Sequence, residues 1–197
     1  MQIDDNTYIA QYYDELVEKH GNSHKSCDYG HKESQEKKFK VLLGVFDQKS
    51  IDILDVGCGT GDFYGYLKKK FNDINYEGID LSEKMVTLCK SKYGENLFKQ
   101  KNVLDYINKK DFIIANGVFY LIRKNPEKNM QILINYMFSL CCKGVAFNSL
   151  SSWATKKEEK EFYADPLKTL EFCSTFTHKV VLRHDYLPHD FTIYMYK

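Results

Sequence analysis

Only two arginines, Arg123 and Arg183, occur among the 28 basic residues of this 197-residue chain, and the 27 acidic residues leave a formal charge of +1. The lysines are scattered in short runs such as Lys68-Lys69-Lys70, which read as solvated helix surface. Enzymes and modules that grip nucleic acid carry a basic stripe, and none is present here. Cysteines 27, 58, 89, 141, 142 and 173 form no C-x-x-C pair and no metal-ligand spacing, so buried inert thiols are expected in place of a redox couple or metal site. No run approaches the ~18 apolar residues of a membrane span, and no leading apolar stretch suggests export, which makes the cytoplasm the expected location. Linkers, repeats and low-complexity segments are also missing. With 43% hydrophobic and 15% aromatic residues, the chain can bury one large core but hardly two.

What is present centres on Ile53-Leu54-Asp55-Val56-Gly57-Cys58-Gly59-Thr60-Gly61-Asp62-Phe63. An aliphatic, β-branched run enters a glycine turn and then a helix, and the glycines let the backbone curl without Cβ atoms in the way. Asp80 follows nineteen residues after Gly61, at the end of a second apolar strand. In a parallel α/β sheet that spacing sets a carboxylate beside the turn, within reach of a ribose. The register is G-x-G-x-G. Where a dinucleotide turn has its third glycine, this chain has Asp62, a charge that repels a pyrophosphate at the helix N-terminus. No Gly-Lys-Ser/Thr follows, which excludes a P-loop. An adenosine cofactor without phosphate fits, with Asp80 accepting from the ribose hydroxyls. Asp55 is placed to hold the turn or to meet a cationic amino group.

These residues resemble class I S-adenosylmethionine-dependent methyltransferases, most of all the small free-standing kind that acts on low-molecular-weight acceptors. The family's Asp-Val-Gly-Cys-Gly-Thr-Gly run stands intact at 55–61, so the resemblance implies that Gly57, Cys58 and Gly59 wrap the methionine part of the cofactor. Asp80-Leu81 matches the acidic position after the second strand. The family's aspartate near the end of the third strand is replaced by Asn102. Its amide oxygen can still accept from an adenine amine, with Val103 offering its N–H to the ring. Asp105 takes that role if the register lies three residues later. Asp111–Tyr120 resembles the family's fourth-strand segment, Asn116 at its polar end is expected to bind the cofactor, and the likeness extends over roughly 50–150.

The expected architecture is a Rossmann-like, doubly wound seven-stranded sheet, mostly parallel with one antiparallel C-terminal strand, under an N-terminal helical lid. Strands are expected near 51–56, 75–80, 97–101, 111–115, 144–149, 178–185 and 190–196. Helices are expected over 6–19, 33–46, 62–71, 83–93, 127–141 and 166–175. Ser82 is a suitable N-cap for the fourth helix. One domain, 1–197, divides into N-terminal helices and lid (1–47), a cofactor-binding half (48–150), and an acceptor loop with terminal strands (151–197).

Function then falls at the carboxyl ends of the strands. Tyr29 is expected to carry a lid-to-cofactor contact. The resemblance places Tyr120 where small-molecule methyltransferases often have a pocket His or Tyr, and its hydroxyl can orient a nucleophile. Arg123 can pair bidentately with an anionic group. Trp153 and the polar run Asn148–Lys157 read as a pocket wall, and His184 alternates with Arg183 near the rim. Tyr13, with Tyr12, Tyr29 and Tyr120, can face an alkylammonium through cation–π contacts. No metal is expected. The expected acceptor is a small polar metabolite taken up by a monomer or homodimer, with no nucleic-acid or membrane partner. The weak preference is the amine nitrogen of a phosphorylated amino alcohol, with O-methylation of a sugar or other small hydroxyl compound as the alternative. A nicotinamide oxidoreductase and a non-catalytic cofactor-binding subunit are the readings from other classes. Side-by-side binding of the two cofactors separates the first, and turnover of a metabolite panel the second.

Overall fold

A computed structural model describes residues 5–46 and 50–197. The boundary expected at 47/48 lies outside the described residues. Seven strands form one sheet: β1 (Ser50–Val56), β2 (Asp73–Asp80), β3 (Phe98–Gln100), β4 (Lys110–Ala115), β5 (Cys141–Leu150), β6 (Val180–Leu187) and β7 (Asp190–Tyr196). Their order is β3-β2-β1-β4-β5-β7-β6. The first five are parallel, and β7 runs antiparallel to both of its neighbours. The antiparallel strand is thus inserted inside the sheet, and β6 forms the edge. A two-residue turn, Pro188-His189, makes this possible, because it returns β7 directly alongside β6 with Leu187 opposite Asp190.

Side-chain alternation divides the core between the two faces. Leu54, Val56, Ile113, Val145, Phe147 and Ile193 face α5 (Pro126–Leu140) and α6 (Pro166–Ser174). Ile51, Ile53, Phe112, Ile114 and Tyr194 face α2 (Lys32–Leu42), α3 (Asp62–Leu67) and α4 (Glu83–Tyr93). Both faces of the central strands are covered, which explains their near-continuous apolar sequence. α4 starts where its sequence says it should, since the Ser82 hydroxyl accepts from the Met85 N–H at 3.0 Å.

The N-terminal segment expected to act as a lid comprises α1 (Asn6–His20) with the short 3-10 turn His24–Cys27. None of the α1 side chains is fully buried, so this helix is an outer layer held by its polar contacts. Asp14 accepts from the Ser82 hydroxyl and the Lys84 N–H. Asp5 accepts from the Arg123 and Lys124 N–H groups, both at 2.9 Å. Ile9 and Tyr13 lie against the cavity below. Among the described residues, no helix is long and apolar enough to cross a membrane, and no group of three potential metal ligands occurs.

Candidate active site

The strand order reverses between β1 and β4, and there the carboxyl ends of the strands diverge around a cavity of about 620 Å³. That is ample for a nucleoside cofactor together with a small second ligand. The glycine turn after β1 forms its floor. Gly57 and Gly59 have φ of 70° and 54°, conformations that L side chains rarely adopt. A Cβ at Gly57 would lie 2.5 Å from Val118 Cγ1, and one at Gly59 would lie 2.7 Å from Cys27 Sγ. The turn is tied to β2 by the Gly57 and Cys58 N–H groups, which both donate to the Ile79 carbonyl.

Two carboxylates flank this cradle. Asp80 accepts from the Gly59 N–H and the Ser82 N–H, both at 2.9 Å, and burial raises its pKa. Asp55 is 1% exposed and accepts from the Tyr76 hydroxyl at 2.6 Å, with burial pushing its carboxyl up to about 7. Each keeps lone pairs for a ligand. Asp62, the charge that breaks the dinucleotide pattern, is fully engaged as a local clamp. It accepts from the Thr60 hydroxyl at 2.9 Å, from Lys92 Nζ at 3.0 Å and from Gln35 Nε2 at 3.3 Å.

Leu81, Asn102 and Val103 line the side of the cavity next to Asp80. The Asn102 side chain caps a short 3-10 turn by accepting from the Leu104 N–H at 3.0 Å. Asp105 is exposed and is not on the cavity wall. At the opposite end, Asn116 Nδ2 donates to the Tyr29 hydroxyl at 2.9 Å, and Asn116 Oδ1 accepts from Asn148 Nδ2 at 2.6 Å. Asn148 Oδ1 in turn accepts from the Gly117 N–H at 2.7 Å, which locks the ends of β4 and β5 together beneath the lid.

Tyr13 and Tyr120 share a hydroxyl–hydroxyl contact of 2.7 Å, and Tyr120 donates to Asp28 Oδ2 at 3.2 Å. Tyr12 donates to the same oxygen at 2.7 Å. Burial holds the phenols of Tyr13, Tyr29 and Tyr120 well above their ordinary value, so near neutral pH they are uncharged hydroxyls.

Three residues expected on the acceptor side lie off the cavity wall in the structure. Arg123 lies outside the cavity with its guanidinium 4.2 Å above the Tyr8 ring, in a shallow depression edged by Glu158, Glu159 and Glu161. Trp153 is 50% exposed and stacks on His184 at 4.9 Å on the outer side. His184 meets the Ser151 hydroxyl at 2.7 Å, and neither ring reaches the cavity. Arg183 makes a two-point surface pair with Asp185, at 2.8 and 2.9 Å. From the stretch 148–157, the residues on the wall are Asn148, Ser149, Leu150, Thr155 and Lys156.

Sequence reasoning missed Asp28, Lys38 and Asp190. The signal for Lys38 was its place on the face of α2 that also carries Gln35, Phe39 and Leu42, all buried. Four cysteines are buried as expected, while Cys27 is partly exposed and Cys142 is exposed.

Fold and site together define a Rossmann-like α/β protein with a nucleoside-cofactor cradle at the switch point. The methyltransferase-domain family profile matches residues 53–137. A Mycobacterium tuberculosis protein that carries the name of a methyltransferase is 28% identical over 169 residues, covering 79% of this chain and 98% of its own length. A malonyl-[acyl-carrier protein] O-methyltransferase of Ilyobacter polytropus is 34% identical over 53% of this chain, but the chain spans only 40% of that longer relative. In fold, the chain is similar to a magnesium protoporphyrin IX methyltransferase from Synechocystis with bound SAM (TM-score 0.72, 15% identity, 100% of this chain and 98% of that one). These likenesses support a class I S-adenosylmethionine-dependent methyltransferase, with S-adenosylmethionine as its cofactor.

Proposed function

We propose that this enzyme methylates a small polar metabolite, preferably at an amine nitrogen, in the part of the cavity between the lid and the ends of β4 and β5. The cofactor supplies a methyl group already activated on a sulfonium. The chain's own task is therefore to hold both ligands, align the acceptor and keep water out. Gly57, Cys58, Gly59 and Asp55 are the residues proposed for the methionine end, Asp80 and Leu81 for the ribose, and Asn102 and Val103 for the adenine. Tyr29 and Asn116 are proposed to separate the cofactor from the acceptor.

The observation that carries the amine preference is the Tyr13–Tyr120–Asp28 cluster on the cavity wall. Aromatic faces beside a carboxylate favour an ammonium or a nitrogen gaining positive charge. The phosphate part of the earlier expectation lost its basis with Arg123, because no guanidinium reaches the cavity. O-methylation is the second reading, favoured by the O-methyltransferase name of the Ilyobacter relatives. Release of S-adenosylhomocysteine from a panel of small amines and matched hydroxyl compounds tests the proposal. Turnover of amines supports it, and faster turnover of neutral hydroxyl compounds overturns the preference.

A further inference from the structure

Asp190 opens β7 at the carboxyl end of β5, is 1% exposed and lines the same cavity. Neither of its oxygens receives a hydrogen bond from any described residue. Lys38 Nζ lies 2.9 Å from Oδ2 as an ion pair, and His189 Nε2 is 3.4 Å from the same oxygen. Lys38 also sits 5.2 Å over the ring of Tyr29, whose hydroxyl meets Asn116. A buried carboxylate normally collects donors, because leaving its lone pairs empty is costly. Here Lys38 balances the charge, while both carboxylate oxygens are buried without a hydrogen bond from a described residue, in a residue that lines the cavity.

We propose that Asp190 and Lys38 form the acceptor-binding anchor of this enzyme. Asp190 takes a hydrogen bond from an amine or hydroxyl of the acceptor, and Lys38 donates to an oxygen beside it. The inference rests on the small-acceptor reading above and narrows it. The class recognised has a donor and an oxygen acceptor on adjacent atoms, as in an amino alcohol, an amino acid or a vicinal diol. A plain alkylamine meets only half of the pair. Asp190 acts by holding the acceptor, and no proton transfer is assigned to it.

The test uses the full chain saturated with S-adenosylhomocysteine. Binding is measured by calorimetry against amino alcohols, amino acids, vicinal diols and alkylamines of equal chain length. Binding of S-adenosylmethionine to the unliganded chain is measured separately, and a chain that fails there defeats the methyltransferase site itself, not the anchor. The expected result is that binders carry the donor–oxygen pair. Asp190→Asn and Lys38→Met should each weaken them by about tenfold or more, as loss of a hydrogen bond to a charged group does. S-adenosylmethionine affinity should stay within about twofold of wild type. A residue that merely ties β7 to α2 would instead lower melting temperature and cofactor affinity together. If Asp190→Asn does not fold, Lys38→Met reads the same anchor. Unchanged affinity in the variants overturns the proposal. So does equal binding of alkylamines, or no binding by any of these classes to a chain that binds the cofactor.

Discussion

The Gly59 N–H donates to Asp80 Oδ2 at 2.9 Å, so the carboxylate proposed to meet the ribose also fixes the turn that holds the methionine end. The other oxygen fastens the start of α4 through Ser82. Asp80→Ala therefore removes a ligand contact and loosens two turns at once. Cofactor affinity should fall by roughly 1.5–3 kcal/mol, the range for bonds to a charged group, with any excess reporting the turn. Calorimetry on the folded variant checks this, and unchanged affinity would remove Asp80 from the site.

Gly59→Ala should cost more, for two separable reasons. Its φ of 54° is strained for alanine, and its Cβ would stand 2.7 Å from Cys27 Sγ. Removing the sulfur with Cys27→Ala relieves the second cost only. In a double-mutant cycle, Cys27→Ala should recover part of the Gly59→Ala loss, leaving about 1 kcal/mol of backbone strain. Strictly additive effects on melting temperature would show that the clash does not matter.

The adenine register gives a sharper contrast. Asn102 is on the cavity wall beside Val103, and Asp105 points to solvent. Asn102→Ala should raise the cofactor dissociation constant, and its lost cap on Leu104 should add about 1 kcal/mol of local destabilisation. Asp105→Ala should leave binding near wild type. The reverse order in a binding titration would reassign the adenine contact.

The cofactor half was legible because its chemistry is local. A strand, three glycines and a carboxylate at fixed spacing specify the cradle within residues 53–80, and even the Asp62 departure had a physical reading. The proposed acceptor half was not, because its residues converge from distant segments without a shared spacing. Lys38 lies in a lysine-rich helix and reads as surface until its companions Gln35 and Phe39 are seen buried. Asp190 reads as a turn residue after Pro188-His189, and only the insertion of β7 beside β5 brings it to the cavity. Arg123 lies off the cavity for a related reason. Phe119, Leu121 and Ile122 bury in the core, and Asp5 holds the following backbone so that the guanidinium turns onto Tyr8.

Asp55 sets a pH dependence of stability. Its folded pKa stands at about 7 against an ordinary 3.8, because burial disfavours the charge. The folded chain then binds more protons than the unfolded one between these values. The associated stability is full below about 4 and is lost as pH rises through about 7, on the order of a few kcal/mol. Asp55→Asn removes this dependence while its amide oxygen can still accept from Tyr76. Asp80 shifts in the same direction but is common to both proteins. The melting-temperature difference, variant minus wild type, should therefore increase by several degrees from pH 5 to pH 8. A constant difference would show that Asp55 ionises at its ordinary pKa.

Tyr120 joins the lid to the acceptor end of the cavity through one hydroxyl, which meets Tyr13 at 2.7 Å and donates to Asp28 at 3.2 Å. Burial keeps the phenol protonated, so its proposed role is orientation. Tyr120→Phe keeps the ring and deletes both hydroxyl contacts. Asp28 retains the Tyr12 hydroxyl, so the lid should stay closed over the cofactor and the affinity for S-adenosylmethionine should remain near wild type. Turnover of an amine acceptor should fall, by about tenfold for one positioning hydrogen bond worth ~1–1.5 kcal/mol. A drop in kcat with little change in acceptor KM marks a contact realised in the transition state. If cofactor affinity and turnover fall together, the hydroxyl is a lid latch; if neither changes, the acceptor is oriented from the Asp190 side of the cavity alone.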